Sequence, residues 1–314
     1  VLARASGQDE ATLIRGLDEL WRKRIIREQG ADTYDFSHDR LRDVADAGMS
    51  MIRRRFLHKR VAQALVALHG EQMTALSGQV AFHYEQAQQW AEAVRYYRQA
   101  AEASAARFAF PAALAYLEDS LTSIAMLPNS VDYGQEQIAC WLQIAQLLII
   151  TQGWTAPERS QALTQAYQVS QQLADKQWFH ETLHELRMYY ANRGEWHTSF
   201  RYAQEALHVA QAMHALPALC LAYQGMGSVH LQRGDFSQSL DYYRRSLALE
   251  AHLATTYQPQ VSTRARTAKA LWLSGYPEQA QIMGANAIRL ADEQQHPLGR
   301  VHAREFIMYI YQWL

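Results

Sequence analysis

Four glycines recur at nearly equal intervals between residues 153 and 275 of this 314-residue chain. Gly153, Gly194, Gly234 and Gly275 are separated by 41, 40 and 41 residues. A fixed period of this size indicates a repeat protein, in which each repeat packs against its sequence neighbours instead of around one central core. Repeat proteins of this kind mostly provide binding surfaces and seldom carry catalytic groups. The period therefore constrains both the fold and the class of function.

The residues on each side of Gly234 have the periodicity of α-helices. A helical run ends near His230, and Phe236, Leu240 and Tyr243 follow the glycine at steps of four and three residues. Gly234 is therefore predicted to form the turn between two helices.

Small residues and one aromatic residue stand at fixed distances from this turn. Gly227 lies seven residues before Gly234, and Ser239, Tyr243 and Ser246 follow it. This arrangement resembles the tetratricopeptide repeat, in which small residues allow two helices to approach and an aromatic ring fills the remaining gap. The same template fits around Gln88 and, more loosely, around Gly194 and Gly275, whereas around Gly153 it drifts by a residue or more.

The repeat period of about 40 residues exceeds the 34 that are usual for tetratricopeptide repeats, which indicates longer helices. This departure resembles the helical sensor arrays of large bacterial ATP-dependent regulators, including the LuxR-type ones. The predicted fold is an all-α, tetratricopeptide-like, right-handed superhelical solenoid over residues 71–314. We expect its helical pairs near residues 74–105, 106–127, 136–174, 177–213, 216–254 and 257–294, followed by a final helix from about residue 298.

Residues 1–70 follow a different pattern and are predicted to form a partial winged-helix domain and a linking helix. An amphipathic helix is expected over residues 11–24, and one small β-hairpin over residues 25–36. The next helix is expected to open at Ser37-His38-Asp39, with Ser37 or Asp39 satisfying its free amide groups. A long basic helix then follows. Helix, hairpin and helix in this order form the back half of a winged helix.

The segment from Phe36 to Ala45 resembles the Met-His-Asp motif that closes the nucleotide-binding module of STAND ATPases (signal-transduction ATPases with numerous domains). In that family the histidine contacts the phosphates of bound ADP and holds the resting state closed, which implies this role for His38. Asp39 is implied to support the placement of His38, and Ser37 stands where the family has methionine. The resemblance implies ATP or ADP as cofactor of the full-length protein, together with an upstream ATPase module.

The sequence contains no Gly-x-x-x-x-Gly-Lys-Ser/Thr string, and no lysine follows any glycine. The chain itself is therefore expected to need no cofactor and not to be an enzyme. The run from His180 to His184 matches the zinc-protease string His-Glu-x-x-His, with Glu205 as a conceivable third ligand. This helix is also the first member of a repeat, with Leu183 and Leu186 at its packing positions. We expect packing to explain the string and no metal to be bound.

Charge and composition argue against two classes of partner. Lysine and arginine number 30 against 31 acidic residues, a balance that argues against a nucleic-acid binder driven by bulk charge. The basic run from Arg53 to Arg60 is expected to be a solvated face or an interdomain contact. The most apolar stretch, residues 138–151, is too short to span a membrane. We expect a cytoplasmic fragment of a longer protein whose repeats can continue beyond Leu314.

The concave face of such a solenoid is lined by the first helix of each pair. Repeat register predicts an effector or partner groove with amide, charged and aromatic side chains, which suits a peptide, a protein segment or a small effector. An ordinary solvated groove is the alternative interpretation. The candidate residues are Gln143, Leu147, Glu181, His184, Met188, Asn192, Gln224, Ser228, Gln232, Lys269 and Trp272.

These observations predict a non-catalytic sensor and protein-interaction region of a STAND-type signalling regulator that controls transcription. In this hypothesis the groove binds an effector or protein partner, and the winged helix relays that event to the upstream ATPase module. The alternative is a standalone tetratricopeptide scaffold for protein–protein interaction without nucleotide coupling. A zinc hydrolase is a third hypothesis, and bound metal in the purified protein would distinguish it from the other two.

Overall fold

The computed structural model describes residues 1–30, 33–70, 73–128, 133–173, 175–250, 252–253, 259–295, 300–301, 303–304 and 308. Within these ranges the chain is almost entirely helical, with one two-stranded sheet. In chain order the elements are α1 (Leu2–Ser6), α2 (Glu10–Arg22), β1 (Ile26–Glu28), β2 (Tyr34–Phe36), α3 (Asp39–Ala47), α4 (Met51–His69), α5 (Met73–Gln86), α6 (Trp90–Ala106), α7 (Phe110–Ala125), α8 (Gly134–Gln152), α9 (Pro157–Gln172), α10 (Lys176–Asn192), α11 (Trp196–Met213), α12 (Leu216–Gln232), α13 (Phe236–Glu250), α14 (Pro259–Leu273) and α15 (Pro277–Glu293).

The chain divides into two compact units, residues 1–147 and residues 148–314. The first unit holds α1 to α7, the β-hairpin and most of α8, and the second holds the end of α8 and α9 to α15. The boundary expected near residue 70 rests on the change in sequence pattern there and stays a prediction.

The first unit begins with the expected order of helix, hairpin and helix. Asp9 precedes α2, and its carboxylate accepts hydrogen bonds from the backbone nitrogen and the hydroxyl of Thr12 at 2.9 and 2.7 Å. These bonds satisfy a free amide group at the start of the helix. Strands β1 and β2 pair antiparallel, with Ile26 opposite Phe36.

The start of α3 differs in detail from the expectation. His38 occupies the N-cap position with extended backbone, and its side chain makes no capping hydrogen bond. The cap therefore belongs to neither Ser37 nor Asp39, and that prediction is wrong. The hairpin is tied to α3 instead by Asp35, whose carboxylate accepts a hydrogen bond from Arg42 at 2.8 Å. This bond lowers the pKa of Asp35, and desolvation of the carboxylate opposes the shift without cancelling it.

Aromatic rings and alanines form the core of helices α4 to α6. Tyr84 and Tyr97 are buried together with Ala93. The turn between α5 and α6 has Gln88 at φ 57°, and the turn between α6 and α7 has Phe108 at φ 60°. Both residues adopt the left-handed conformation that glycine adopts most readily.

Residues 106–127 contain one helix, α7, which packs against α6. The expectation of a helical pair in this range is therefore wrong. The physical reason is length, because a 16-residue helix and its flanking turns fill the segment.

Three helical hairpins form most of the second unit: α10 with α11, α12 with α13, and α14 with α15. Their turns contain Gly194, Gly234 and Gly275, with φ angles of 76°, 83° and 84°. This left-handed region is costly for a residue with a Cβ, which explains the glycine period. Pro157 and Pro277 are the first residues of α9 and α15, where the missing N–H removes no helical hydrogen bond.

Helices α12 and α13 approach closely at Gly227. A Cβ on Gly227 would lie 2.7 Å from Cε1 of Tyr243. The Ser239 hydroxyl donates to the Gly227 carbonyl at 2.8 Å, and the Ser246 hydroxyl donates to the Cys220 carbonyl at 3.0 Å. The prediction that small residues and one aromatic ring form the helix contact is confirmed.

The fold class is all-α with tetratricopeptide-like helical repeats, as the period predicts. The final helix expected from about residue 298 lies largely outside the described residues, as does the chain end at Leu314. In the part of the chain that the structure describes, no helix has the length and apolar character needed to cross a membrane.

Candidate binding cavity in the second unit

The first helices of the three hairpins, α10, α12 and α14, line a cavity of about 310 Å³. Met188, Ser228 and Lys269 line it from equivalent positions, since 40 and 41 residues separate them. Asn192 and Gln232 also line it and lie one helical turn beyond Met188 and Ser228. The structure therefore brings five of the candidate groove residues together. Their role in binding stays a prediction.

Six residues that the sequence reasoning missed also line the cavity, and three of them carry polar groups: Arg187, Tyr243 and Arg266. Arg187 stands where the next two repeats have Gly227 and Ala268, at separations of 40 and 41 residues. An arginine at a small-residue position of the repeat is a signal that aligning the repeats could have revealed. Its burial depends on the neighbouring hairpin and could not be read from that alignment.

Arg187 is a buried cation that lacks a complete set of partners. The residue is 3% exposed, and its Nε and Nη2 atoms have no hydrogen-bond partner among the described residues. Burial, followed by the positive charge of Arg266, lowers the pKa of Arg187 to about 10. The guanidinium therefore remains charged at neutral pH. In contrast, the fully buried Arg159 donates from Nη2 to the Glu185 carboxylate at 2.8 Å.

Gly225 in α12 leaves room for the Arg187 side chain. A Cβ on Gly225 would lie 3.1 Å from Nε and 3.2 Å from Cδ of Arg187. These distances are tighter than most carbon contacts in folded proteins. The absent side chain at position 225 therefore allows the arginine of the preceding hairpin to lie against α12.

Ser228 orients Arg266 in the cavity. Its hydroxyl donates to the Gln224 carbonyl at 2.9 Å and accepts hydrogen bonds from Arg266 Nη1 at 2.8 Å and the Tyr243 hydroxyl at 3.2 Å. One donor and two acceptor positions are the full capacity of a hydroxyl group. The Gln224 side chain is buried and donates from Nε2 to Thr263 at 3.2 Å. Ser228 and Gln224, two of the candidate groove residues, therefore make hydrogen bonds within the protein.

Four candidates of the second unit do not line the cavity: Gln224, Glu181, His184 and Trp272. Glu181 accepts a hydrogen bond from the Gln177 side chain at 3.2 Å. Burial, followed by the charge of Arg187, lowers the pKa of His184 well below its usual value. Trp272 is half-buried against the apolar cluster that contains Tyr243.

The remaining candidates lie in the first unit. Leu147 is buried in α8, and Gln143 of the same helix is half-buried. His38 is exposed at the start of α3. The binding roles of these residues stay predictions.

The His-Glu-x-x-His string lies in α10, with its first histidine in the protein interior. His180 is 3% exposed, and burial lowers its pKa to about 4. Leu183 and Leu186 of the same helix are buried. Among the described residues, no group of three histidine, cysteine, aspartate or glutamate side chains is arranged to hold a metal ion.

A second, larger cavity of about 670 Å³ lies in the first unit between α4, α5 and α6. It contains none of the candidate groove residues, and its charged lining residues, Arg95 and Glu102, have opposite signs. The smaller cavity of the second unit therefore has the more distinctive chemistry.

Comparison with protein-family models and with curated proteins finds no match to this sequence. Solved structures do match the fold. A Rap protein complexed with competence and sporulation factor has a TM-score of 0.56 at 11% identity, covering 85% of this chain and 73% of that chain. NprR in complex with its cognate peptide NprX has a TM-score of 0.53 at 14% identity, covering 96% of this chain and 81% of that chain.

A STAND protein with a tetratricopeptide repeat sensor, from Pyrococcus horikoshii, also matches. Its TM-score is 0.53 at 14% identity, and the match covers 98% of this chain and 56% of that chain. This chain thus corresponds to little more than half of the STAND protein. Identities this low establish a shared helical-repeat fold and do not transfer activity or ligands.

Proposed function

We propose that this chain is the non-catalytic sensor and interaction region of a cytoplasmic STAND-type regulator that controls transcription. The cavity of the second unit binds an effector or a protein partner, and residues 1–70 relay binding to an upstream ATPase module that holds ATP or ADP. The effector shifts the regulator between two states by binding one of them more tightly.

The observation that carries this proposal is the cavity itself. Side chains from three successive repeats converge on it, and one of them is a buried arginine without a complete set of partners. The charged residues that line the cavity, Arg187, Arg266 and Lys269, are all basic, so the cavity would attract a ligand with polar or negatively charged groups. Two proteins of similar fold are seen with a bound factor or cognate peptide, which supports a peptide-like effector.

Several large apolar side chains of residues 1–70 are exposed. Trp21 is 53% exposed, Phe56 56% and Ile52 81%. Exposed apolar side chains in this number are typical of a surface that another part of the protein covers. In this proposal the ATPase module covers these side chains, and His38, which is exposed at the start of α3, contacts a nucleotide held by that module.

The test uses the protein encoded by the full reading frame. We expect the upstream sequence to encode a phosphate-binding loop and the His38→Ala variant to release a fluorescent ADP analogue faster than wild type, with higher basal transcription of a reporter. His197→Ala, which changes an exposed histidine of the second unit, is the matched control and should release the nucleotide at the wild-type rate. Release from His38→Ala at the wild-type rate would contradict the proposed phosphate contact.

The cavity is tested in the same reporter. The double variant Asn192→Ala, Gln232→Ala should lose the response to effector while basal output stays unchanged, because both side chains are exposed and line the cavity. Gln238→Ala, an exposed glutamine on α13, should respond normally. If the upstream reading frame lacked any phosphate-binding loop, the standalone scaffold would replace the regulator as the better explanation.

A further inference from the structure

The turn between α6 and α7 places an aromatic side chain in solvent. Phe108 is 80% exposed, which makes it the most exposed aromatic residue among those that the structure describes. The ring of Phe110 contacts it edge-on, with the ring centroids 6.0 Å apart. The two phenylalanines therefore form a small apolar protrusion at one end of the first unit.

The backbone of Phe108 adopts a conformation that is unfavourable for its residue type. Its φ angle of 60° lies in the left-handed region, where a bulky side chain is strained. Glycine occupies the positive-φ position in the turns at Gly194, Gly234 and Gly275. The other described residues of positive φ that are not glycine are all polar: Arg24, Gln88, His214 and Gln295. A residue that is strained and also exposes an apolar ring is typical of a functional contact.

The cavity between α4, α5 and α6 borders this protrusion. Ala106 lines the cavity, and Phe108 follows it by two residues. Val66, Gly70 and Ala103 also line it and are apolar or small. Its volume of about 670 Å³ equals that of about twenty water molecules in the liquid. The cavity is therefore large enough to receive the ring of a Phe108 from another molecule.

Opposite charges accompany the protrusion and the cavity. Arg107 directly precedes Phe108, and Glu102 lines the cavity. Both charged residues are exposed, and neither forms a salt bridge within the described part of the chain. A surface that carries a protrusion beside a cation and a cavity beside an anion is complementary to itself. A two-fold axis brings each Phe108 to the cavity of the other copy, and each Arg107 towards the Glu102 of the other copy.

We propose that the first unit forms a symmetric dimer with a second copy of this chain, in which Phe108 of each copy enters the cavity between α4, α5 and α6 of the other. An aromatic side chain buries about 150–250 Å², so two such contacts and their rims stay below the ~1,600 Å² of a standard interface. The dimer is therefore weak, and we expect a dissociation constant of about 10–100 µM. This inference goes beyond the proposed signalling function and does not depend on it.

Sedimentation velocity of the full 314-residue chain, between about 1 and 200 µM, measures the association. We expect the weight-average sedimentation coefficient of the wild type to rise with concentration. Phe108→Ala keeps a side chain at the strained position but lacks the ring, and it should weaken dimerisation at least about tenfold. Phe56→Ala removes another exposed aromatic ring of the first unit and should associate like the wild type.

A second variant fills the cavity and leaves the protrusion unchanged. Ala106→Trp places a large ring at the cavity wall, and it should also weaken dimerisation at least about tenfold. An equimolar mixture of Ala106→Trp and Phe108→Ala restores one of the two contacts, because the Phe108 of one chain meets the open cavity of the other. The mixture should therefore associate more strongly than either variant alone, which a mere loss of folding cannot produce.

Phe108→Gly separates the contribution of the ring from that of the backbone. It should abolish dimerisation and raise the thermal unfolding midpoint of the monomer by about 2 °C, because glycine is not strained at positive φ.

Three results would overturn the inference: a wild-type chain that stays monomeric at the highest concentration, a dimer that persists in Phe108→Ala, or a mixture that associates no better than its components. A wild-type chain that stays monomeric and binds vesicles of equal parts phosphatidylcholine and phosphatidylserine through Phe108 would assign the turn to a lipid surface instead. The variants of His38, Asn192 and Gln232 leave this surface unchanged, so the outcome is separable from the signalling proposal.

Discussion

At the scale of the residue, Arg187 shows how one buried side chain can lower the free energy of unfolding. A buried charge without a carboxylate partner destabilises the folded protein, and replacing such a group with an apolar one of similar length is often stabilising. Arg266 has the same charge and adds to this cost, whereas Tyr243 and Glu185, whose carboxylate is bound by Arg159, compensate only in part.

We therefore expect Arg187→Met to raise the free energy of unfolding of the ligand-free protein by about 1 kcal/mol or more. Urea unfolding followed by circular dichroism measures this change. Arg244→Met, at an exposed position, should change it by less than about 0.5 kcal/mol. A large loss of stability in Arg187→Met would show that the arginine has stabilising partners, contrary to its unpaired Nε and Nη2 atoms.

At the scale of the element, the backbone conformation of the turn between two helices explains why glycine recurs at the period of the repeat. Gly234 has φ 83°, and a Cβ on it would meet no atom within 4 Å. The preference for glycine is therefore a property of the backbone and not of crowding. Gln88 makes the equivalent turn in the first unit at φ 57° and carries a side chain there.

This difference predicts opposite effects for two substitutions. Gly234→Ala should lower the free energy of unfolding by about 1 kcal/mol, because alanine is strained in the left-handed region. Gln88→Gly should raise it by a few tenths of a kcal/mol, since relief of strain is partly offset by the entropy that glycine loses on folding. Equilibrium unfolding in urea checks both. No change in Gly234→Ala would show that the turn relaxes to another conformation.

At the scale of the whole molecule, both units contain a histidine whose protonation opposes folding. Burial lowers the pKa of His83 in the first unit and of His180 in the second to about 4. In the unfolded chain each histidine binds a proton near pH 6.5, whereas in the folded protein it does so only near pH 4. The contribution of each neutral histidine to the free energy of unfolding is therefore fully present above pH 6.5, and it is lost as the pH falls towards 4.

The contribution of His180 is about 3 kcal/mol over this range, since one pKa unit corresponds to about 1.4 kcal/mol. His180→Phe should make the unfolding of the second unit less sensitive to pH between 6.5 and 4.5. Urea unfolding at several pH values, followed by tryptophan fluorescence, measures the slope. His197→Phe changes an exposed histidine and should keep the wild-type slope. An unchanged slope in His180→Phe would place the acid sensitivity elsewhere.

Particular residues show how far the sequence could predict this molecule. The helical hairpins follow from Gly194, Gly234 and Gly275, because a turn of positive φ is a local demand. The number of helices predicted for residues 106–127 is wrong, because apolar periodicity indicates helix without showing whether a segment forms one helix or two. Register also placed Met188, Ser228 and Lys269 at equivalent positions in the first helices of successive hairpins, and these residues do line one cavity.

The sequence by itself determined the repeat, its turns and the close contact of Gly227 with Tyr243, because these depend on backbone conformation and on side-chain size at fixed separations. Only the tertiary structure decided which polar groups are buried. Arg187 loses its hydration because α12, about 40 residues away, packs against it through Gly225. Burial depends on the packing of neighbouring hairpins, and the same packing brings the basic residues Arg187, Arg266 and Lys269 to the wall of one cavity.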